Sequence, residues 1–390
     1  MREAYIVAAK RSAVGKAKRG GFKSFRSDDL AVEVIRGLLK EVGQLEATQI
    51  DDLIVGCANP EGEQGLQIGR QIALRALGKQ IPGITINRYC ASGLEAVAIA
   101  TAKIKAGMGD IFLAGGTESM SMIPMTGYKL APNYNVAKDT PDYIISMGLT
   151  AEAVADKYKV SREDQDQFAL RSHTNAANAI KSGYFVDQIV PIDVPEVTVN
   201  GGERVEKTNT VAVDEGVRTD TSLEALSKLR PVFANKGSVT AGNSSQTSDG
   251  AAFILVMSEE KVRELKLEPV GRLVSCSVGG VDPLYMGIGP CAAIPKALKS
   301  AGLQLKDIDL VELNEAFAAQ SLAVIREAGL DSDMVNVNGG AIALGHPLGC
   351  TGAKLTTQIL SELKRRDKKY GMVTACVGGG QGIAGIVERF

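Results

Sequence analysis

The chain has 390 residues, of which 45% are apolar, so it can bury a large core, and this length indicates two or three domains. Its 44 Lys and Arg residues nearly balance its 45 Asp and Glu residues, a charge that argues against nucleic-acid and membrane-surface proteins. The start "MREAYIVAAKR" has too short an apolar run for a secretory signal, and no segment reaches a membrane-spanning length, so we expect a cytosolic globular protein.

The cysteines are expected to be thiols. They lie at positions 57, 90, 276, 291, 350 and 376 without a C-x-x-C pair, and a chain of this size needs no disulfide scaffold. Structural zinc takes closely spaced Cys and His ligands, and only His346 and Cys350 are close in sequence, so no metal site is predicted. Burial as small apolar side chains is the expected state of Cys57, Cys276, Cys291 and Cys350.

The first half of the chain places Cys90 at the start of a predicted helix. Strand-like runs occur in "DDLIVGCANPEGEQ" (51–64), which leads to Asn59, and in "ITIN" (84–87). The helix that follows has an apolar face at a period of 3.6 residues and ends at Gly107. Backbone N–H groups at a helix start can lower a thiol pKa. Position alone leaves Cys90 as either a nucleophile or another buried thiol.

After the strand "DIFLAGG" (110–116), residues 119–247 break this pattern and predict an insertion. Its helix, "SREDQDQFALRSHTNAANAIKSG", opens with a capping box from Ser161 to Asp164 and closes at Gly183. His173 shares an apolar face of this helix, so packing explains it better than chemistry does. The run "EVTVNGGERVEKTNTV" predicts a hairpin that turns at Asn200, Gly201 and Gly202.

The second half repeats the first. The runs "DIDLVELNEAFAAQ" (307–320), "VNVN" (335–338) and "MVTACVGGG" (372–380) follow the order of the first-half strands. Strands alternating with helices predict mixed or parallel sheets covered by helices. We therefore expect two copies of one α/β unit, related by a pseudo-twofold axis.

This symmetry gives His346 a function. The turn "GGAIALGHPLGCTGAK" (339–354) follows "VNVN" as the Cys90 segment follows "ITIN", so the two segments are predicted to face each other. A cysteine with a base in reach is an activated nucleophile. Cys376 ends a strand, and the glycines after it, Gly378 to Gly380, leave backbone N–H groups free for an oxyanion.

The run "GQGIAG" (380–385) fits the dinucleotide pattern G-x-G-x-x-G by letter only. Such a site needs a helix and a further strand after it, and the remaining residues fit one final strand, "IAGIVERF".

Over nearly its full length the sequence resembles the thiolase family. The motifs are "NRYCASG", "NEAF" (314–317), "GGAIALGHPLGCTGAK" and "CVGGGQG", in this order. The resemblance implies a five-layer αβαβα fold built from two pseudo-twofold-related core halves and an inserted loop domain. We expect a first core of residues 1–118 and 248–269, a CoA-binding loop domain of residues 119–247 and a second core of residues 270–390. The family further implies a homodimer or homotetramer.

The resemblance also implies the reaction, cleavage of a 3-ketoacyl-CoA by CoA through an acyl thioester on Cys90, as in fatty acid β-oxidation. By similarity, His346 activates Cys90 and Cys376 is the acid and base at the substrate carbon. One oxyanion is held by His346 with a water positioned by Asn314, and the other by the backbone N–H groups of Cys90 and Gly378. CoA is a co-substrate, and no permanently bound cofactor is expected.

Contacts to CoA and to the acyl chain are carried over from the same resemblance. Arg218 and Phe233 are expected along the nucleotide and pantetheine, and Ser245 as a hydrogen-bond partner of the pantetheine. Met147 and Phe317 are expected at the acyl end, with Met286 in the same wall. Each has an ordinary alternative, namely a surface charge for Arg218, a turn residue for Ser245 and core packing for the others.

Three other functions use related folds or chemistry. A ketoacyl synthase uses two histidines, and Asn314 stands where the second would be. A thiolase-like lipid carrier would lack part of the catalytic set, which is complete here. An acetoacetyl-CoA thiolase that condenses two acetyl-CoA molecules is the closest alternative. The runs "GNSSQTSDGAA" and "YMGIGP", and Ser146 where short-chain members often have histidine, resemble the degradative 3-ketoacyl type.

Overall fold

The computed structural model describes residues 2–201 and 203–390. Its strands are β1 (Ala4–Arg11), β2 (Gly15–Lys16), β3 (Asp52–Gly56), β4 (Gly83–Ile86), β5 (Ile111–Ser119), β6 (Ile192–Asn200), β7 (Glu203–Val211), β8 (Ser248–Ser258), β9 (Gly271–Gly280), β10 (Leu310–Leu313), β11 (Tyr370–Val377) and β12 (Gln381–Arg389). Its helices are α1 (Ser27–Glu41), α2 (Ile68–Ala76), α3 (Ser92–Lys105), α4 (Tyr134–Asp139), α5 (Met147–Lys157), α6 (Arg162–Lys181), α7 (Leu223–Ser227), α8 (Glu259–Glu264), α9 (Gly289–Ala301), α10 (Ala318–Glu327), α11 (Ala341–Leu344) and α12 (Thr351–Arg366).

The sheet order reveals the internal repeat. Strands follow the order β4-β3-β5-β8-β1 in one half and β10-β11-β12-β9 in the other, and the halves join where Ile6 of β1 pairs with Gly271 of β9. In each half the pairs nearest the junction are antiparallel. The pairs toward the edge are parallel, namely β5 with β3 and β3 with β4 in the first half and β11 with β10 in the second. The predicted pair of similar α/β units with mixed sheets is confirmed.

The helices complete a five-layered arrangement. Helices α3 and α12 pack against each other and against strands of both halves, so they form the central layer. Helices α1 and α2 cover the outer face of the first half, and α9 covers that of the second with α10 beside it. Both faces of the strands are therefore buried, which explains why β5 and β8 consist almost entirely of small and apolar residues.

Several local predictions have mixed outcomes. Ser161 caps α6 by accepting a hydrogen bond from the Asp164 N–H at 3.0 Å, as predicted. The hairpin also forms, from β6 and β7, although Gly202 of its turn lies outside the described residues. The run "VNVN" is not a strand, since it contributes only an isolated bridge between Val311 and Val335 and then turns at Asn336, which has a φ of 49°.

The expected burial of four cysteines is half correct. Cys57 and Cys350 are buried, but Cys276 and Cys291 are partly exposed. Cys276 lies on β9, the strand at the junction of the two halves of the sheet, and Cys291 lies in the first turn of α9.

A buried ion pair ties the segment between β7 and α7 to the first sheet. The guanidinium of Arg11, at the end of β1, contacts both carboxylate oxygens of Asp214 at 2.7 and 2.9 Å, and both side chains are fully buried. Asp214 also accepts a hydrogen bond from the Val14 N–H at 2.8 Å. Two-point contact of this kind fixes orientation as well as distance, so the chain that continues to Arg218 starts from a defined place.

Candidate active site

The central helices bring the Cys90 and His346 segments together. A Cβ placed on Gly93, in the first turn of α3, would lie 2.7 Å from the Ala353 nitrogen, and one on Gly352 of α12 would lie 2.3 Å from the Leu94 nitrogen. Only glycine allows this reciprocal approach of two helix starts. The turns that precede these helices therefore lie side by side, as the internal repeat predicted.

Cys90 lies in a short 3-10 turn, Tyr89–Ala91, directly before α3. Tyr89 has a φ of 44°, a left-handed conformation that costs a non-glycine residue roughly 1–2 kcal/mol. The Ser92 hydroxyl holds this strained turn, because it accepts a hydrogen bond from the Arg88 N–H at 2.8 Å and donates to the Tyr89 carbonyl at 2.7 Å. The strained residue directly precedes Cys90, so its conformation sets the direction of the backbone at the thiol.

The expected lowering of the Cys90 pKa is wrong. Burial raises this pKa to about 11, and the opposing hydrogen bonds from the backbone N–H groups of Gly378 and of Cys90 itself are weaker. Loss of water around the sulfur therefore outweighs the helix start. The thiol is protonated at neutral pH and needs a base to become a nucleophile.

Cys376 is a second thiol beside the first. It lies at the buried end of β11 in an apolar cluster with Met286 and Phe317, against which Met147 also packs. Burial raises its pKa, and a negative charge on Cys90 raises it further. The two thiols are therefore close enough to interact, and ionisation of either one disfavours ionisation of the other.

His346 is held in one tautomer. Its Nδ1 lies 2.6 Å from the hydroxyl oxygen of Thr351, and that hydroxyl donates its single proton to the Pro347 carbonyl at 2.8 Å. The hydroxyl can then only accept, so Nδ1 carries the ring proton. Nε2 is left with its lone pair and faces the Asn314 amide nitrogen at 3.3 Å. Burial lowers the pKa of His346 to about 3, so the ring is neutral, and Nε2, which accepts the hydrogen bond from Asn314, is its basic nitrogen.

Replacement of Thr351 by Val is expected to lower kcat/KM about 5- to 100-fold. The Nδ1–H would lose its acceptor, and an unsatisfied buried donor costs about 1–3 kcal/mol. Steady-state kinetics of Thr351→Val measures the effect. Thr351→Ser, which keeps the hydroxyl, should remain within about threefold of the parent, and equal losses in both variants would exclude this role for the hydroxyl.

Asn314 has an unused acceptor in the same place. Its side chain is fully buried, its Nδ2 faces His346, and its Oδ1 has no hydrogen-bond partner among the described residues. A buried oxygen of this kind is a binding point for a water molecule or a ligand donor. The site therefore offers a donor and an acceptor next to the imidazole.

A buried carboxylate connects the turns around the site. Glu118, at the end of β5, accepts hydrogen bonds from the Ala58 N–H at 2.7 Å and from the Gly349 N–H at 2.8 Å. Gln64 donates to it at 2.7 Å, and burial raises its pKa. Gly349 lies three residues after His346, so Glu118 links the His346 turn to the first sheet.

The residues expected at the acyl end are brought together beside Cys376. Met147 and Phe317 pack in the same cluster as Met286, and the ring of Phe233 meets that of Phe317 edge to face at 5.9 Å. A Cβ on Gly378 would lie 3.9 Å from the Met147 sulfur, which places this cluster next to the backbone beside Cys90.

Ser245 and Arg218 lie in the segment between β7 and β8. The Ser245 N–H donates to the Ala316 carbonyl at 2.9 Å, which fixes the serine next to Phe317. Arg218 is exposed, and within the described part of the chain its guanidinium forms no ion pair. It lines a cleft with Gln246 and Ile342.

Sequence patterns did not indicate Thr351, Glu118 or the use of His173. Thr351 could have been found from its position five residues after His346, at the start of the following helix. Glu118 and His173 carry no local signal, because their partners are distant in sequence: Gly349 for Glu118 and Arg218 for His173. His173 is buried as predicted, yet its Nδ1 accepts a hydrogen bond from the Arg218 N–H.

Within residues 2–201 and 203–390, no three His, Cys, Asp or Glu side chains are grouped as metal ligands would be. Among the helices described, none combines the length and the apolar character that crossing a bilayer requires.

Comparisons with known proteins agree with this geometry. Residues 4–260 match the family model for the thiolase N-terminal domain, and residues 267–389 match that for the thiolase C-terminal domain. The chain is 55% identical over 390 residues to the 3-ketoacyl-CoA thiolase of Bacillus subtilis (strain 168), with 100% of both proteins covered. It is 45% identical over 389 residues to the peroxisomal 3-ketoacyl-CoA thiolase 1 of Arabidopsis thaliana, covering 98% of this chain and 87% of that protein. The crystal structure of the Bacillus anthracis acetyl-CoA acetyltransferase matches it with a TM-score of 0.89 at 42% identity, covering 100% of this chain and 99% of that one.

Proposed function

The chain belongs to the thiolase family, and on this premise we propose that it is an acetyl-CoA C-acyltransferase that cleaves 3-ketoacyl-CoA with CoA in fatty acid β-oxidation. Its products are acetyl-CoA and an acyl-CoA shorter by two carbons. The names of the relatives at 55% and 45% identity support cleavage rather than condensation. The observation that carries the proposal is the pair of interacting buried thiols, Cys90 and Cys376, together with a neutral His346 whose Nε2 carries the lone pair of the ring.

The first step forms a bond between Cys90 and the substrate. His346 Nε2 removes the thiol proton, and the sulfur attacks the C3 ketone of the 3-ketoacyl-CoA. The attack turns the C3 carbonyl oxygen into an oxyanion on the carbon that is now bonded to the Cys90 sulfur. This oxyanion accepts hydrogen bonds from the backbone N–H groups of Cys90 and Gly378, which already point at the sulfur. Each such donor typically contributes about 2.7–4 kcal/mol to the transition state.

The second step breaks the bond between the α and β carbons. The oxyanion collapses to a thioester on Cys90 and expels the enolate of acetyl-CoA. His346, now protonated on Nε2, donates to the enolate oxygen together with a water bound at Asn314 Oδ1. Cys376 donates its proton to the α carbon, which releases acetyl-CoA and leaves a thiolate on Cys376.

The third step returns the enzyme to its starting state. The Cys376 thiolate takes the proton from the thiol of an incoming CoA, and the CoA sulfur attacks the thioester on Cys90. The shortened acyl-CoA leaves, and the Cys90 thiolate recovers its proton from His346. Each residue thus ends with the proton that it had at the start.

The nucleotide and pantetheine of CoA bind along the inserted loop domain, residues 119–247. The first core comprises residues 1–118 and 248–269, and the second core comprises residues 270–390. Arg218 supplies an unpaired positive charge for a phosphate of CoA. Because the net charge of the chain is nearly zero, such a charge must be provided locally. Phe233 and Ser245 line the pantetheine, and CoA is a co-substrate, with no permanently bound cofactor.

The active protein is a cytosolic homodimer or homotetramer. The edge strand β4 ends the sheet and exposes 43% of Ile84, and Leu66 nearby is 93% exposed. An unpaired edge with apolar side chains is a pairing surface for a second copy. No feature of the charge distribution calls for a nucleic acid or a membrane as partner.

The acyl pocket is expected to accept chains longer than four carbons. Met147 and Met286 are flexible apolar side chains that can adapt to an acyl chain, and Phe317 completes the wall. Each buried methylene is worth about 0.8 kcal/mol, so kcat/KM for 3-ketoacyl-CoA of six to ten carbons should at least equal that for acetoacetyl-CoA. Thiolysis rates over this length series measure it. A steep fall beyond four carbons would favour an acetoacetyl-CoA thiolase, the activity closer to the name of the solved Bacillus anthracis protein.

A further inference from the structure

His173 and Arg218 line one cleft next to the active site. Gln246 and Ile342 also line this cleft, and Ile342 lies four residues before His346. His173 comes from α6 and is 4% exposed, whereas Arg218 comes from the segment before α7 and is exposed at the rim. A buried polar side chain and a free charge therefore share one opening.

A hydrogen bond joins these two residues through the backbone. The Arg218 N–H donates to His173 Nδ1 at 3.1 Å. Burial, and after it the charge of Arg218, lowers the pKa of His173 to about 4, so the ring is neutral at physiological pH and Nδ1 can accept. Without this acceptor the N–H of Arg218 would have no partner in the fold, and the residue would be less firmly placed.

A second side chain fixes the same segment relative to the catalytic turn. Gln246 Nε2 donates to the carbonyls of Gly216 and Ile342 at 2.9 and 3.1 Å. The carbonyl of Gln246 in turn accepts the His346 N–H at 3.3 Å. Residues 216–218 are thus held at two points, by Gln246 and by His173, and their position is defined relative to His346.

We infer that His173 is a positioning residue for CoA, which holds the backbone of Arg218 so that its guanidinium meets a phosphate of the CoA nucleotide. The guanidinium is exposed at the cleft and forms no ion pair within the described part of the chain, so an anion can reach it. This role rests on the proposed function, because it assumes that CoA occupies the cleft. His173 itself contacts no reacting atom.

Replacement of His173 by Phe tests this role, because it keeps a ring but removes the acceptor. We expect about a three- to tenfold increase in KM and in the calorimetric Kd for CoA, with kcat at saturating CoA unchanged. His173→Asn, whose Oδ1 can replace Nδ1 as the acceptor, should recover most of the affinity. With pantetheine, which lacks the nucleotide, the parent and both variants should bind equally. His173→Leu serves in the same way if the Phe variant does not fold.

The outcomes separate the inference from the proposed function. Equal losses for His173→Phe and His173→Asn, or an equal loss with pantetheine, would mean that His173 only supports the fold, and no loss at all would also overturn the inference. If the parent protein binds CoA no more tightly than pantetheine, the inference about His173 is wrong, but the proposed thiolysis is unaffected. If the parent binds CoA with this pattern but does not thiolyse 3-ketoacyl-CoA, the proposed function fails and the positioning role stands.

Discussion

Removal of the His346 imidazole is expected to slow acylation of Cys90 on the order of 10²- to 10⁴-fold at neutral pH. The reason is the Cys90 pKa of about 11, which leaves almost no thiolate at pH 7 unless a base removes the proton. Acylation of His346→Ala by acetyl-CoA, followed as CoA released per enzyme, measures the loss.

The pH dependence should change as well. In the parent, His346 has a lowered pKa of about 3, so its neutral form is present at pH 5–9 and the acylation rate should be flat there, falling only as the pH drops toward 3. In His346→Ala the rate depends on thiolate formed by solvent, and should rise about tenfold per pH unit toward the Cys90 pKa of about 11. Cys350→Ala, in the same turn, should keep the flat profile. A flat profile in His346→Ala would exclude His346 as the base.

Cys376→Ser is expected to separate acylation from carbon chemistry. The variant should still transfer an acetyl group from acetyl-CoA to Cys90 within about threefold of the parent rate, because His346 and the N–H groups at Cys90 remain. The CoA thiolate that departs in this transfer is a good leaving group, so the transfer depends little on the proton that Cys376 supplies when the third step runs in reverse. It should lose exchange of the acetyl α hydrogens with solvent, and overall thiolysis, on the order of 10²- to 10⁴-fold, since a serine hydroxyl is a far weaker acid than a thiol. Deuterium incorporation followed by mass spectrometry measures the exchange.

The matched control is Cys276→Ser, the same substitution in a partly exposed residue on β9. It should keep both activities. If Cys376→Ser and His346→Ala lose acylation to the same extent, the two residues cannot be assigned to separate steps, and the thiol of Cys376 must act before the acyl-enzyme forms.

The internal repeat made the central placement predictable from sequence. Its strands and helix starts, read in order, put the Cys90 turn opposite the His346 turn. The close approach of Gly93 to Ala353 and of Gly352 to Leu94 shows the two helix starts in contact. Local rules also placed the cap at Ser161, because a capping side chain and its N–H are three residues apart. Where a structural feature depends on neighbours in the chain, the sequence is informative.

Features set by distant neighbours were missed. The pKa of Cys90 was expected to fall, since the helix start is visible in the sequence and the burial that outweighs it is not. The apolar spacing of α6 predicted the burial of His173, but the hydrogen bond from Arg218 depends on how the segment between β7 and α7 folds back onto α6. The run "VNVN" has strand-like residues, yet it ends the sheet after one bridge because the chain turns at Asn336.

The most direct test is the mass of the peptide that contains Cys90 after brief incubation with a 3-ketoacyl-CoA and rapid acid quenching. The account predicts one added acyl group, two carbons shorter than the substrate acyl chain, on Cys90 and on no other cysteine. The group should disappear when CoA is added, with formation of the shortened acyl-CoA, and Cys90→Ala should carry none. An acyl group on Cys376 or Cys350 instead, or full turnover in Cys90→Ala, would contradict it.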